Sequence, residues 1–95
     1  MATGGTLKRL ERSIRRVEGF DVALLSADGR DLRGDKRGLP SYHYTRAARD
    51  AFTVAQWRET RFAHSYPGFS VVVFEGHRRP VHGRTLLSTV RATYR

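Results

Sequence analysis

The sequence predicts an α+β fold in which three helices pack on a small sheet of three or four strands, in the order α-β-(β)-α-β-α. Three observations carry this. Apolar residues recur at helical spacing near both ends of the chain, a capping box marks a helix start at Thr53, and residues 69–74 form a run that is apolar on both faces.

Residues 1–5 are expected to fray, and Thr6 then caps a helix that runs to about Glu18, where Gly19 stops it. At about 100° per residue, Leu7, Leu10, Ile14 and Val17 share one stripe, while Lys8, Arg9, Arg12, Arg15 and Arg16 centre on the opposite side. Residues 20–25 alternate, with Phe20, Val22 and Leu24 on one side of a strand, and Asp28-Gly29 offers a hairpin turn. The polar stretch 30–38 reads as loop. Residues 41–46 have the aromatic and β-branched content of the strand that would pair back.

Thr53 and Gln56 have capping-box spacing, so a second helix is placed from Thr53 to about His64, ending before Tyr66-Pro67-Gly68. Residues 69–74 read as a central strand covered on both sides. Residues 76–84 are a basic loop. Thr85 is then expected to cap a last helix with Leu86, Leu87, Val90 and Tyr94 on one stripe and Arg91 and Arg95 on a cationic face.

A chain of 95 residues with 39 % hydrophobic and 11 % aromatic residues suffices for one domain with a modest core. Cysteine is absent, which excludes a disulfide framework, a thiolate zinc site and cysteine nucleophiles. No apolar stretch resembles a secretion signal or a membrane span, so the expected setting is the cytoplasm. Lys and Arg number 18 against 9 Asp and Glu, a formal charge of +9, which draws polyanions whatever the fold. Arg supplies 16 of the 18 cations and Asn is missing, as a GC-rich genome would write it; that accounts for Arg over Lys, not for the two-to-one excess.

Signature motifs of catalysis are missing, among them G-x-S-x-G, the P-loop, G-x-G-x-x-G and H-E-x-x-H. The four histidines lie apart in sequence except His77 and His82, which have no carboxylate or thiolate beside them, so no metal or other cofactor is expected. The leading expectation is a non-enzymatic nucleic-acid-binding module that grips phosphates through the first helix (Lys8, Arg9, Arg12, Arg15, Arg16) and the loop arginines Arg78, Arg79 and Arg84. RNA and DNA fit it alike. Against it stands a solvated outer face, balanced locally by Glu11 and Glu18.

Tyr42 and Tyr44 would share one strand face and could stack bases; the commoner arrangement is a pair covering the core with hydroxyls in water. Trp57 falls with Arg61 and His64 on the side of the second helix opposite Ala55, Phe62 and Tyr66. That side either packs against another helix, the favoured reading, or anchors a partner. The anchor suits a second expectation, an accessory or inhibitor protein, such as a mobile element encodes, docking on an acidic protein or ribonucleoprotein. A third is a metal-independent ribonuclease using His43, His77 and His82 with Arg78, Arg79 or Arg84.

Overall fold

Helix α1 spans Leu7–Glu18 and strand β1 Asp21–Ser26. A second helical stretch, α2, consists of α-helical Val54–Trp57, π-helical Arg58–Phe62 and α-helical Ala63–Ser65. Strand β2 is Phe69–Phe74 and helix α3 Leu87–Ala92. These elements come from a computed structural model that describes residues 7–26, 28–30 and 40–94. The expected frayed start, the Thr6 cap, most of the 30–38 loop and Arg95 lie outside the described residues.

Among the described residues the sheet has two antiparallel strands, with Asp21 opposite Phe74 and Ser26 opposite Phe69. Among the described residues the expected strand at 41–46 is not formed, and β1 pairs with β2. The reason lies at the strand's outer edge. There the Leu24 N–H donates to Glu11 Oε2 at 2.9 Å and the Ser26 N–H to the Arg30 carbonyl at 2.9 Å, so this edge is closed by side chain and turn instead of a third strand. On the far edge of β2 the chain folds back after residue 74, with an isolated bridge between Phe74 and Pro80 and a Val81 N–H bond to the Val73 carbonyl at 2.9 Å.

Phe20, Val22 and Leu24 are buried, together with Leu7, Leu10 and Ile14 of α1, Val71 and Val73 of β2 and Leu87 and Val90 of α3. Gly19 ends α1 at φ +85°, a conformation that glycine adopts without the Cβ clash other residues meet.

The capping box of α2 forms as its spacing predicts: the Gln56 N–H donates to Thr53 Oγ1, and the Thr53 N–H to Gln56 Oε1. Its π-helical centre was not legible. A wider turn carries one more residue per turn, so Trp57 and Phe62, five apart, come to one face where an ideal α-helix would separate them. Both are buried in the core, and their ring centroids are 6.0 Å apart. Trp57 is 0 % exposed and meets Phe20 edge-on at 5.1 Å, so the partner-anchor reading of this residue is overturned and the packing one stands.

Thr85 does not cap α3. Leu86 takes that position without a side-chain bond, and the free N–H groups of Leu87 and Ser88 donate to the carbonyls of Phe52 and Asp50. Leu86 consequently leaves the apolar stripe and is 43 % exposed. Among the described residues no helix is long and apolar enough to cross a membrane.

Candidate nucleic-acid interface

The two faces of α1 carry opposite electrostatic assignments. Lys8, Arg9, Arg12, Arg15 and Arg16 all lie exposed, as the helical period requires. Glu18 does not balance them, and the half-buried Glu11 does so in part, through its attraction to Lys8. From Leu7 these glutamates sit at about 40° and 20° around the helix, on the border between the apolar stripe, which runs from about 280° to 0°, and the cations, which centre near 140°. The helical period therefore contained the signal that sets both acids at the core-side margin of the cationic face.

Glu18 is 1 % exposed. Its carboxylate accepts from Tyr42 Oη, from the Ala48 N–H at 2.9 Å, from Arg61 Nη1 at 2.7 Å and from Arg91 Nη2 at 3.2 Å. Arg91 also donates to the Glu18 and Ala48 carbonyls and to Asp50, and Arg61 to the Arg46 carbonyl. Two arginines thus serve the interior, as a buried carboxylate demands. The expectation that Arg91 lies on an outer cationic face is corrected, and Arg61 is no partner contact either. His64 is exposed at the end of α2.

The tyrosines go the same way. Tyr42 is 8 % exposed, and its hydroxyl is held by Glu18 and accepts from Trp57 Nε1 at 3.3 Å; burial first, then the Glu18 carboxylate, pushes this phenol far above its usual pKa. Tyr44 is half-buried between His43, stacked at 4.4 Å, and the Arg61 guanidinium, 4.3 Å from its ring centre. Neither offers a free face for a base, which corrects the stacking expectation, and the hydroxyl of Tyr42 is not in water.

A cleft of about 540 Å³ joins the ridge to the turn after β2. Arg12, Arg15 and Glu11 line it from α1, Asp21 and Val22 from β1, and Phe74 and Arg78 from the end of β2 and the turn. Its acids are engaged: Asp21 pairs with Arg15 at 3.0 Å, and Glu11 holds the Leu24 N–H. Burial raises the Glu11 carboxyl above its usual pKa, against the lowering by the Leu24 bond. The Arg15 guanidinium lies 4.5 Å from the ring centre of Tyr94, whose hydroxyl bridges the Asp21 N–H and the Phe74 carbonyl at the sheet end.

Arg78 stands at φ 64°, the left-handed region, which costs a residue with a Cβ about 1–2 kcal/mol. Glu75 fastens the turn around it. Its carbonyl accepts the Arg78 N–H at 2.9 Å and its carboxylate the His77 N–H at 2.7 Å. Gly76 lets this turn sit against α3, because a Cβ there would meet the Thr93 carbonyl oxygen at 1.9 Å.

The remaining candidates are not brought to the cleft. Arg79 is exposed on the same turn without lining it. Arg84 and His82 flank Gly83, whose carbonyl accepts the Ala55 N–H at the start of α2. The His43 ring is stacked on Tyr44, the His77 N–H is held by Glu75, and His82 Nδ1 accepts the Arg84 N–H. Among the described residues no three His, Asp or Glu side chains gather as a metal site would need. The chain matches no protein-family model, no curated protein and no solved structure.

Proposed function

We propose that this chain is a small non-enzymatic module that binds nucleic acid in the cytoplasm, gripping the phosphate backbone through α1 and the turn after β2. The observation that supports this most is the shared cleft: Arg12 and Arg15 of the helix and Arg78 of the turn line one concavity, so ridge and turn offer a continuous cationic footprint. Lys8, Arg12 and Arg16 are exposed and make no ion pair with another described residue, which leaves them available to phosphates. Each phosphate neutralised releases condensed counterions, a gain that is independent of sequence and falls with salt. Arginine contacts of this kind give affinity and register, not a base code. Docking on an acidic protein has weaker support, because Trp57 and Arg61 are spent inside the molecule.

The test is fluorescence anisotropy of nuclease-treated protein with labelled single-stranded RNA, single-stranded DNA and duplex DNA over a range of salt. Affinity should fall steeply with salt, and joint reversal of Lys8, Arg12 and Arg16 to Glu should abolish it at physiological salt. Absence of binding by the wild type, or unchanged binding by the triple variant, would overturn the proposal.

A further inference from the structure

A duplex backbone asks only for exposed cations, which the ridge of α1 already supplies. The cleft beside it has something such a backbone does not use, the aromatic residue Phe74, which lines it together with Arg12, Arg15 and Arg78. Phe74 stands opposite Asp21 in the ladder, so its side chain shares the sheet face of Asp21 and lies away from the buried Val73. It is half-buried, and it is the aromatic side chain of the cleft lining. The volume, about 540 Å³, lies within the range of about 300–1,000 Å³ typical of small-ligand sites and suffices for one nucleotide.

We infer that the module prefers single-stranded nucleic acid and seats one unstacked base on Phe74, with the adjoining phosphates on Arg12 and Arg78; this rests on the phosphate-gripping role proposed above. An apolar ring beside guanidinium groups is the combination that holds single strands, because every base has a stackable face and every nucleotide a charge. Arg15, fixed between Asp21 and the Tyr94 ring, offers a second flat surface at the rim. The two acids of the cleft do not oppose the ligand strongly, since one is paired with Arg15 and the other is turned to the Leu24 N–H.

The test compares an oligothymidylate with an abasic strand bearing the same number of phosphates, by anisotropy at one salt concentration. The oligothymidylate should bind about tenfold more tightly, the gain that one base stacked on an aromatic ring provides. Phe74→Leu, which keeps an apolar side chain, should erase that difference. Because the strand comparison needs only the wild-type protein, a variant that fails to fold does not spoil it. Equal affinity for both strands, with the steep salt dependence retained, would overturn the base seat and leave phosphate gripping intact. A preference for the base-bearing strand that survives Phe74→Leu would overturn the placement on Phe74. Absence of binding to either strand would overturn both readings.

Discussion

The buried carboxylate of Glu18 and the exposed ridge lie on the two sides of one helix, and they consume arginine in opposite ways. At Glu18, Arg61 and Arg91 are immobilised by several bonds each, and Tyr42 and Ala48 complete the ring. On the ridge, Lys8, Arg12 and Arg16 extend from the same helix with no described ion-pair partner. A net charge of +9 therefore overstates the charge offered to a partner in one place and conceals its concentration in another. Position on the helix, not the count of arginines, separates the arginines that hold the scaffold from those left exposed.

The comparison breaks most visibly at Glu18. Glu18→Ala leaves two partly buried guanidinium groups without their carboxylate and should cost about 3 kcal/mol or more, a large share of the stability of a small domain. Urea unfolding would read it as a lowered midpoint, and a loss below about 1 kcal/mol would mean that the cluster is not a structural tie.

Arg78 sharpens the contrast, because backbone strain and the proposed phosphate contact meet at one residue. Arg78→Gly should relieve the left-handed backbone and raise stability by up to about 1 kcal/mol, while weakening nucleic-acid binding. Loss of both stability and affinity would make this arginine part of the scaffold. On the ridge, Arg12→Ala and Arg16→Ala should each leave the urea midpoint within about 0.5 kcal/mol of wild type.

The smallest effect belongs to Glu11, which lies between the two regions. Burial holds its carboxyl above the ordinary value of 4.5, so the folded protein keeps a proton that the unfolded chain releases. That contribution is fully present below pH 4.5 and is lost as pH rises through the raised value. Glu11→Gln retains an acceptor for the Leu24 N–H, so the stability of the variant relative to wild type should improve from acid towards neutral pH. A difference that does not change with pH would contradict this.

Much of the architecture was legible. The stripe of α1, the alternation of β1, the capping box at Thr53 and the apolar run of β2 are local signals, and each element formed where its signal lay. The failures share a cause, which is dependence on distant partners. Residues 41–46 have strand composition, yet Tyr42 and Ala48 are drawn to Glu18 across the fold. Thr85 is a good cap in isolation, but the carbonyls of Asp50 and Phe52 arrive first. Trp57 appeared misplaced because the π-helical segment shifts the phase of α2. At the candidate site, the ridge was legible from periodicity, whereas its junction with Arg78 depends on the antiparallel pairing that sets Phe74 beside Asp21.

The central claim, that ridge and turn form one footprint, is tested most directly by the salt dependence of single-strand binding in Arg12→Glu, Arg78→Glu and Arg84→Glu. All three reversals change net charge equally, but Arg84 does not line the cleft. Each phosphate contact contributes about 0.7 to the slope of log affinity against log salt for a single strand. The account predicts a slope reduced by about that amount in Arg12→Glu and in Arg78→Glu and unchanged in Arg84→Glu. Equal reductions in all three would contradict it and reduce the positive charge to a diffuse attraction without a site.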